Sequence, residues 1–322
     1  MDLGPNMPLV GPNYLVGQRL GRGNFGEIRL GTDMWTNKPV AIKFEPARGR
    51  SVSLDLEYDY YKRIGLVEGF PKIHYFGRSG RFNVLVMDLL GPNLDQLFEA
   101  CNQKFSLKTV CEIAIQTITR IEQVHNKYLI YRDMKPDNFL LGANSDNVHI
   151  IHLVDFGLSK EYMNPTTGEH ISYRESQTMT GTVRYMSCNT HAGKETSRRD
   201  DLEALGYIFV FFLQGKLPWQ GVMGSNTTER YKMVSEMKAN TTLETLCKGL
   251  PSEFIKFLTY SRKLDFFERP DYDYLKNMFV NLMKKLGFTR DFEYDWSMKL
   301  KNGEINISND SKSTNSNTGT GK

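Results

Sequence analysis

One stretch constrains the fold more than any other: Tyr131-Arg132-Asp133-Met134-Lys135-Pro136-Asp137-Asn138, followed by Val154-Asp155-Phe156-Gly157. It crowds two carboxylates, an amide and a lysine together, and Pro136 keeps a long helix from forming through them. Such a loop suits a metal-bound phosphate and a hydroxyl, and it predicts phosphoryl transfer. That chemistry asks little covalent work of a protein. It needs metal ions on the phosphates, an in-line hydroxyl and stabilisation of developing charge. Asp133 is the candidate to accept or orient the hydroxyl proton, and Lys135 the candidate to neutralise the γ-phosphate. Asn138 and Asp155 offer hard oxygen ligands to Mg²⁺. Gly157 lets the chain turn after the apolar run Ile150-Ile151-His152-Leu153-Val154.

Upstream, Gly21-Arg22-Gly23-Asn24-Phe25-Gly26 lies between Tyr14-Leu15-Val16-Gly17 and Glu27-Ile28-Arg29-Leu30, and the second flank alternates like a half-buried strand. A dinucleotide-binding glycine motif would instead open a helix, with an acid about 20 residues on. Glu45 stands near that distance, but the strand-like residues after Gly26, with Gly31 among them, leave no room for the helix. The glycines therefore form a flap over nucleotide phosphates. Leu20, Gly21, Arg22, Gly23, Asn24, Phe25, Gly26, Glu27 and Ile28 make up the candidate ATP-binding stretch. The next strand, Pro39-Val40-Ala41-Ile42-Lys43-Phe44, puts Lys43 in apolar company, where an unpaired ammonium is costly. Lys43 is expected on the α- and β-phosphates, paired with a carboxylate of the helical stretch 54–62. Glu57 is favoured there by position, with Asp55 and Asp59 as rivals.

Two more strands are expected around Ile73-His74-Tyr75-Phe76-Gly77 and Asn83-Val84-Leu85-Val86-Met87-Asp88, and Gly91-Pro92 ends the second sharply. This is the natural hinge between a strand-rich lobe and a helical one. Adenine needs backbone donors and acceptors in an apolar slot, which points to the chain from Met87 through Asp88 to Leu90. Beyond it, Val110, Ile113, Ala114, Thr117, Ile118, Ile121 and Val124 recur at helical steps, ending at Asn126-Lys127. Pro270 divides a further amphipathic region between Pro251 and Phe288.

A chain of 322 residues can build two packed lobes, and a net charge of +4 does not argue for nucleic-acid binding. The four cysteines, Cys101, Cys111, Cys188 and Cys247, show neither metal spacing nor disulfide density, and read as reduced thiols of the cytosol or nucleus. No signal peptide is visible, Asp2 excludes N-myristoylation, and the apolar run from Leu205 to Leu213 is too short to span a bilayer.

The order of glycine flap, Val-Ala-Ile-Lys, helix Glu, Arg-Asp-x-Lys-Pro-x-Asn and Asp-Phe-Gly resembles the protein-kinase signature set. Further stretches are similar to casein kinase I in particular: Leu89-Leu90-Gly91-Pro92-Asn93-Leu94, Ser197 to Gly206, Leu217-Pro218-Trp219-Gln220-Gly221, and Leu264 to Tyr272. Tyr131 and Phe266-Phe267 lean toward the gamma branch of that family. The resemblance runs from about Tyr14 to Trp296. It implies an α+β bilobal fold with an antiparallel small lobe (14–90) and a mostly helical large lobe (91–298). A flexible segment (1–13) and a disordered polar tail (299–322) are expected outside it.

The resemblance further implies an ATP- and Mg²⁺-dependent Ser/Thr protein kinase acting on acidic or phospho-primed protein sites. Arg184, Gly221 and Arg230 match the family's substrate anion pocket, and Met186-Ser187-Cys188-Asn189 stands where most kinases carry Ala-Pro-Glu. Gln177 departs from a frequent Lys. Asp201 matches the aspartate that holds the catalytic loop from a buried helix. The family is active without a phosphorylated activation segment (158–185). A monomer is expected, in the cytoplasm, with the nucleus or the membrane periphery as further sites and no lipidation motif. A kinase-fold scaffold without turnover is the alternative, but none of Lys43, Asp133, Lys135, Asn138 or Asp155 is lost.

Overall fold

The computed structural model describes residues 9–22, 26–47, 54–175 and 179–305. Gly23, Asn24 and Phe25 of the flap, Gln177, and 1–8 and 306–322 of the expected terminal segments lie outside the described residues.

The small lobe is one antiparallel sheet built from β1 (Tyr14–Arg22), β2 (Glu27–Asp33), β3 (Lys38–Pro46), β4 (Ile73–Ser79) and β5 (Phe82–Asp88), in the order β1-β2-β3-β5-β4. One helix, α1 (Leu54–Ile64), lies between β3 and β4 in sequence and packs on the sheet. Strand alternation divides the sheet's two faces. Val40, Ile42 and Phe44 of β3 join Val84 and Val86 of β5 in a small core, while Leu85 and Met87 belong to the main one. Lys43 pairs in register with Leu85 and Ala41 with Met87, so these four point toward α1 and the cleft. Gly26 has no alternative at the flap's base, because a Cβ there would sit 1.9 Å from the Phe44 carbonyl oxygen.

The large lobe follows with α2 (Leu94–Ala100), α3 (Leu107–His125), β6 (Leu129–Ile130), β7 (Phe139–Leu141), β8 (Ile151–Leu153) and β9 (Lys160–Glu161). The helices α4 (Cys188–His191), α5 (Arg198–Gln214), α6 (Thr227–Asn240), α7 (Leu243–Leu246), α8 (Ser252–Lys263), α9 (Tyr272–Lys285) and α10 (Ser297–Lys301) complete it. α3 packs on α5 and α9, and α5 on α8, around a core of fully buried aromatic and branched side chains. The strand pairs β6–β9 and β7–β8 are too short to read from periodicity. They bracket the catalytic loop and hold both of its ends.

The described residues extend a little past both expected lobe limits. Val10 exchanges backbone hydrogen bonds with Tyr14 and is 1% exposed, so the lead-in is anchored before residue 13. At the other end α10 continues past residue 298, and Leu300 and Ile305 pack against the main core. A polar composition hides isolated apolar anchors such as these, which bury little surface individually.

Candidate active site

The cleft between the lobes holds a cavity of about 240 Å³. Of the residues marked in the sequence, Leu20, Gly21, Ile28, Lys43, Glu57, Met87, Asp88, Leu90, Asn138 and Asp155 line it, from seven different segments of the chain. Ala41, Leu140 and Val154 complete its apolar walls. Leu140 escapes sequence reading because only folding sets the short β7 beneath the cleft. Arg22 and Glu27 instead form the closing pair of the β1–β2 ladder, and the Glu27 carboxylate accepts from Arg29 at 2.6 Å. At the hinge, Asp88 commits its carboxylate to His74 (2.7 Å) and to the Lys72 N–H (2.9 Å). Its role there is to fasten the end of β5 to β4 and the residue before it.

Lys43 is 8% exposed, and its Nζ donates to Glu57 Oε2 at 2.6 Å and Asp155 Oδ1 at 2.8 Å. Asp55 and Asp59 are excluded as partners, since Asp59 lies beside Lys62 and Asp55 beside Asn83. Burial alone would push the Lys43 ammonium down. The two carboxylates outweigh burial and hold it above its ordinary range. Burial raises Glu57, opposed by Lys43, whereas in Asp155 the same lysine outweighs burial and keeps the carboxyl low. Lys43 thus links the helix α1 to the Asp-Phe-Gly segment across the cleft.

The catalytic loop is held from below. Asp201 of α5 accepts from the backbone N–H groups of Tyr131 (2.7 Å) and Arg132 (2.8 Å), and meets His125 Nε2 at 2.9 Å. Arg132 has φ +70 and Asp155 φ +65, left-handed conformations that non-glycine residues adopt only when their surroundings hold them there. The Tyr131 hydroxyl donates to the Val154 carbonyl at 2.6 Å and packs edge-on against Phe156, tying the two signature segments together.

Asp133 therefore stands at the cleft with both oxygens occupied. Thr182 donates to Oδ1 and Lys135 to Oδ2, each at 2.7 Å, and Asn138 Nδ2 donates to the Asp133 carbonyl at 3.1 Å. Thr182 is a partner the sequence did not mark, although Gly181-Thr182 was its available signal. Gly181 has φ +106, and a Cβ would lie 2.3 Å from the Arg132 carbonyl oxygen, so glycine lets the activation segment reach the catalytic loop.

Mg²⁺ suits this donor set. The Asp155 carboxylate is 34% exposed, and Asn138 commits its amide nitrogen to Asp133, so its oxygen is the atom it can offer a cation. The anion-pocket candidates Arg184, Gly221 and Arg230 are all exposed. Arg184 lies over the rings of Tyr185 and Phe211, 5.7 Å from each.

A cleft between lobes, a strand lysine paired to a helix glutamate, and an aspartate poised on a strained loop define one class of protein. Residues 14–279 match the protein kinase domain, and the chain belongs to the protein kinase family. Within it the chain is of casein kinase I type. It is 48% identical over 297 residues to Casein kinase I homolog 1 of Schizosaccharomyces pombe, covering 92% of this chain and 66% of that protein. It is 47% identical to Casein kinase I homolog 2 of the same yeast, covering 92% and 68%. Against Casein kinase I homolog 1 of Saccharomyces cerevisiae the identity is 46%, covering 93% and 56%. The chain thus spans about two thirds of the length of the first two relatives and little more than half of the third. Membership in the family implies ATP as the phosphoryl donor, usually with Mg²⁺, and proteins as substrates.

Proposed function

We propose that this protein is an ATP- and Mg²⁺-dependent serine/threonine kinase of casein kinase I type. The observation that carries it is the closed pair of linkages across the cleft: Lys43 bound to both Glu57 and Asp155, and Asp133 held between Thr182 and Lys135.

Asp133 orients the substrate hydroxyl and draws off its proton, while Lys135, within reach of the same carboxylate, meets the charge building on the transferred group. Lys43 holds the α- and β-phosphates, and its ion pairs leave it charged throughout the neutral range. Asn138 and Asp155 would hold Mg²⁺, which supplies charge neutralisation at the phosphates. Acidic or phospho-primed sites as substrates, with Arg184, Gly221 and Arg230 as the anion readers, extend the proposal, as do a monomeric state and a cytoplasmic location.

The test is transfer from labelled ATP to dephosphorylated casein, wild type against Asp133→Asn. Kinases of this kind turn over at about 1–100 s⁻¹. Turnover by the wild type and its loss in the variant are expected. Equal incorporation by both, or none by the wild type, would favour a nucleotide-binding scaffold instead.

A further inference from the structure

Lys238, on α6, lies outside the cleft and has no part in the chemistry above, yet it is 0% exposed. A lysine buried this deeply is rare and needs partners. Among the described residues no carboxylate forms an ion pair with it. Its Nζ donates to two backbone carbonyls, Met186 at 2.6 Å and Val183 at 2.9 Å, and sits 5.1 Å from the ring centres of both Tyr207 and Trp219. Trp219 adds a third contact to the same short segment, with its indole N–H donating to the Arg184 carbonyl at 2.8 Å. Three of the four carbonyls in residues 183–186 are therefore drawn downward into the large lobe.

That segment follows directly on Thr182, which holds Asp133, and precedes Ser187, whose hydroxyl donates to buried Asp200 at 2.6 Å. The segment is thereby joined to the catalytic carboxylate through its immediate neighbour Thr182. We propose that Lys238, supported by Trp219, is a positioning residue for the protein substrate: it fixes residues 183–186 at the height that brings an acceptor hydroxyl to Asp133. The inference rests on the kinase assignment above and goes beyond it, because it separates protein-substrate binding from nucleotide binding in one buried side chain.

The chemistry of the clamp is specific. An ammonium offers three hydrogen-bond donors, enough for two carbonyls, and the faces of Tyr207 and Trp219 stabilise its charge where water cannot. Burial nevertheless pushes the ammonium down to about 7, with Arg262 acting in the same direction and Cys188 and Glu203 opposing. A methionine of similar length would fill the space but leave the Met186 carbonyl without its lysine donor and the Val183 carbonyl with only His191 Nε2 at 3.4 Å.

Lys238→Met is predicted to raise KM for an acidic serine peptide about tenfold or more, while KM for ATP and the peptide-independent hydrolysis of ATP stay within about twofold. Amide hydrogen exchange supplies a readout that needs no turnover: protection should fall across residues 183–187 and stay unchanged across 131–138. Trp219→Phe keeps the ring but removes the indole donor, and should show the same pattern more weakly if Lys238→Met does not fold. An unchanged peptide KM in a folded variant overturns the proposal. So does a parallel loss of ATP binding and peptide binding, or exchange that rises equally in both segments. Absence of transfer by the wild type would count against the kinase assignment, whereas the exchange pattern would still decide the clamp.

Discussion

Replacing Asp201 by asparagine removes one charge from beneath the catalytic loop and changes little in shape. In the native arrangement Oδ2 accepts from Tyr131 N–H and faces His125 Nε2, and Oδ1 accepts from Arg132 N–H. His125 is held below its ordinary value by burial, despite Asp201, so it is neutral and donates through Nε2 while its Nδ1 accepts from the Tyr272 hydroxyl at 2.6 Å. An amide can imitate only one of the two carboxylate oxygens. With its oxygen in the Oδ2 position, its NH₂ faces the Arg132 N–H, and one bond becomes a donor–donor contact. The surviving bonds fall from charge-assisted to neutral strength, so the summed loss is about 3 kcal/mol. For a domain of this size that corresponds to a fall in Tm of about 5 °C. The kinetic effect should be larger in proportion, because the lost bond is the one that restrains Arg132 at φ +70, next to Asp133. A fall in kcat of at least about 100-fold is expected, with KM for ATP little changed. Calorimetry together with the casein assay tests both. Melting within about 1 °C of wild type, with phosphorylation within twofold, would refute the view that Asp201 holds the loop in its working conformation.

Two further predictions follow from the same physical logic. Burial, with Lys238 acting in the same direction, lowers His191 from 6.5 to about 4, so the folded state binds fewer protons than the unfolded chain between those values. Its contribution is present above pH 6.5 and lost as pH falls toward 4; at about 1.4 kcal/mol per pH unit it is worth at most about 3 kcal/mol. Asp200, raised to about 6 by burial, works in the opposite sense over nearly the same range, so the difference in urea unfolding between wild type and His191→Gln, followed from pH 7.5 to 4.5, isolates the histidine. A difference that does not vary with pH would show that His191 binds protons equally in the folded and unfolded chain, and would refute the lowered value. Near the C-terminal end, Trp296 is 1% exposed, packed on Phe105 and stacked with Tyr294. Trp296→Ala should cost about 3–5 kcal/mol in urea unfolding, and a loss below 1 kcal/mol would mean that the end of the chain is not part of the core.

The amino-acid sequence by itself determined the chemistry and the lobed plan. Asp133, Asn138 and Asp155 are recognisable because phosphoryl transfer restricts residue type and spacing locally, and the long periodic helix α3 is legible because burial imposes a repeat on consecutive residues. Lys43 could be marked as needing a carboxylate, since an ammonium in a strand of apolar residues has few alternatives. Which carboxylate it takes depended on the packing of α1 against the sheet, and Glu57 rather than Asp55 or Asp59 came only from that. The same limit hid Thr182, 49 residues from Asp133 along the chain, and Lys238, 52 residues from the Met186 carbonyl it holds. A lysine in a polar helix looks solvated in sequence. Only tertiary structure closes the aromatic walls around it and turns a surface charge into a buried donor, because backbone carbonyls carry no residue identity for a sequence to display.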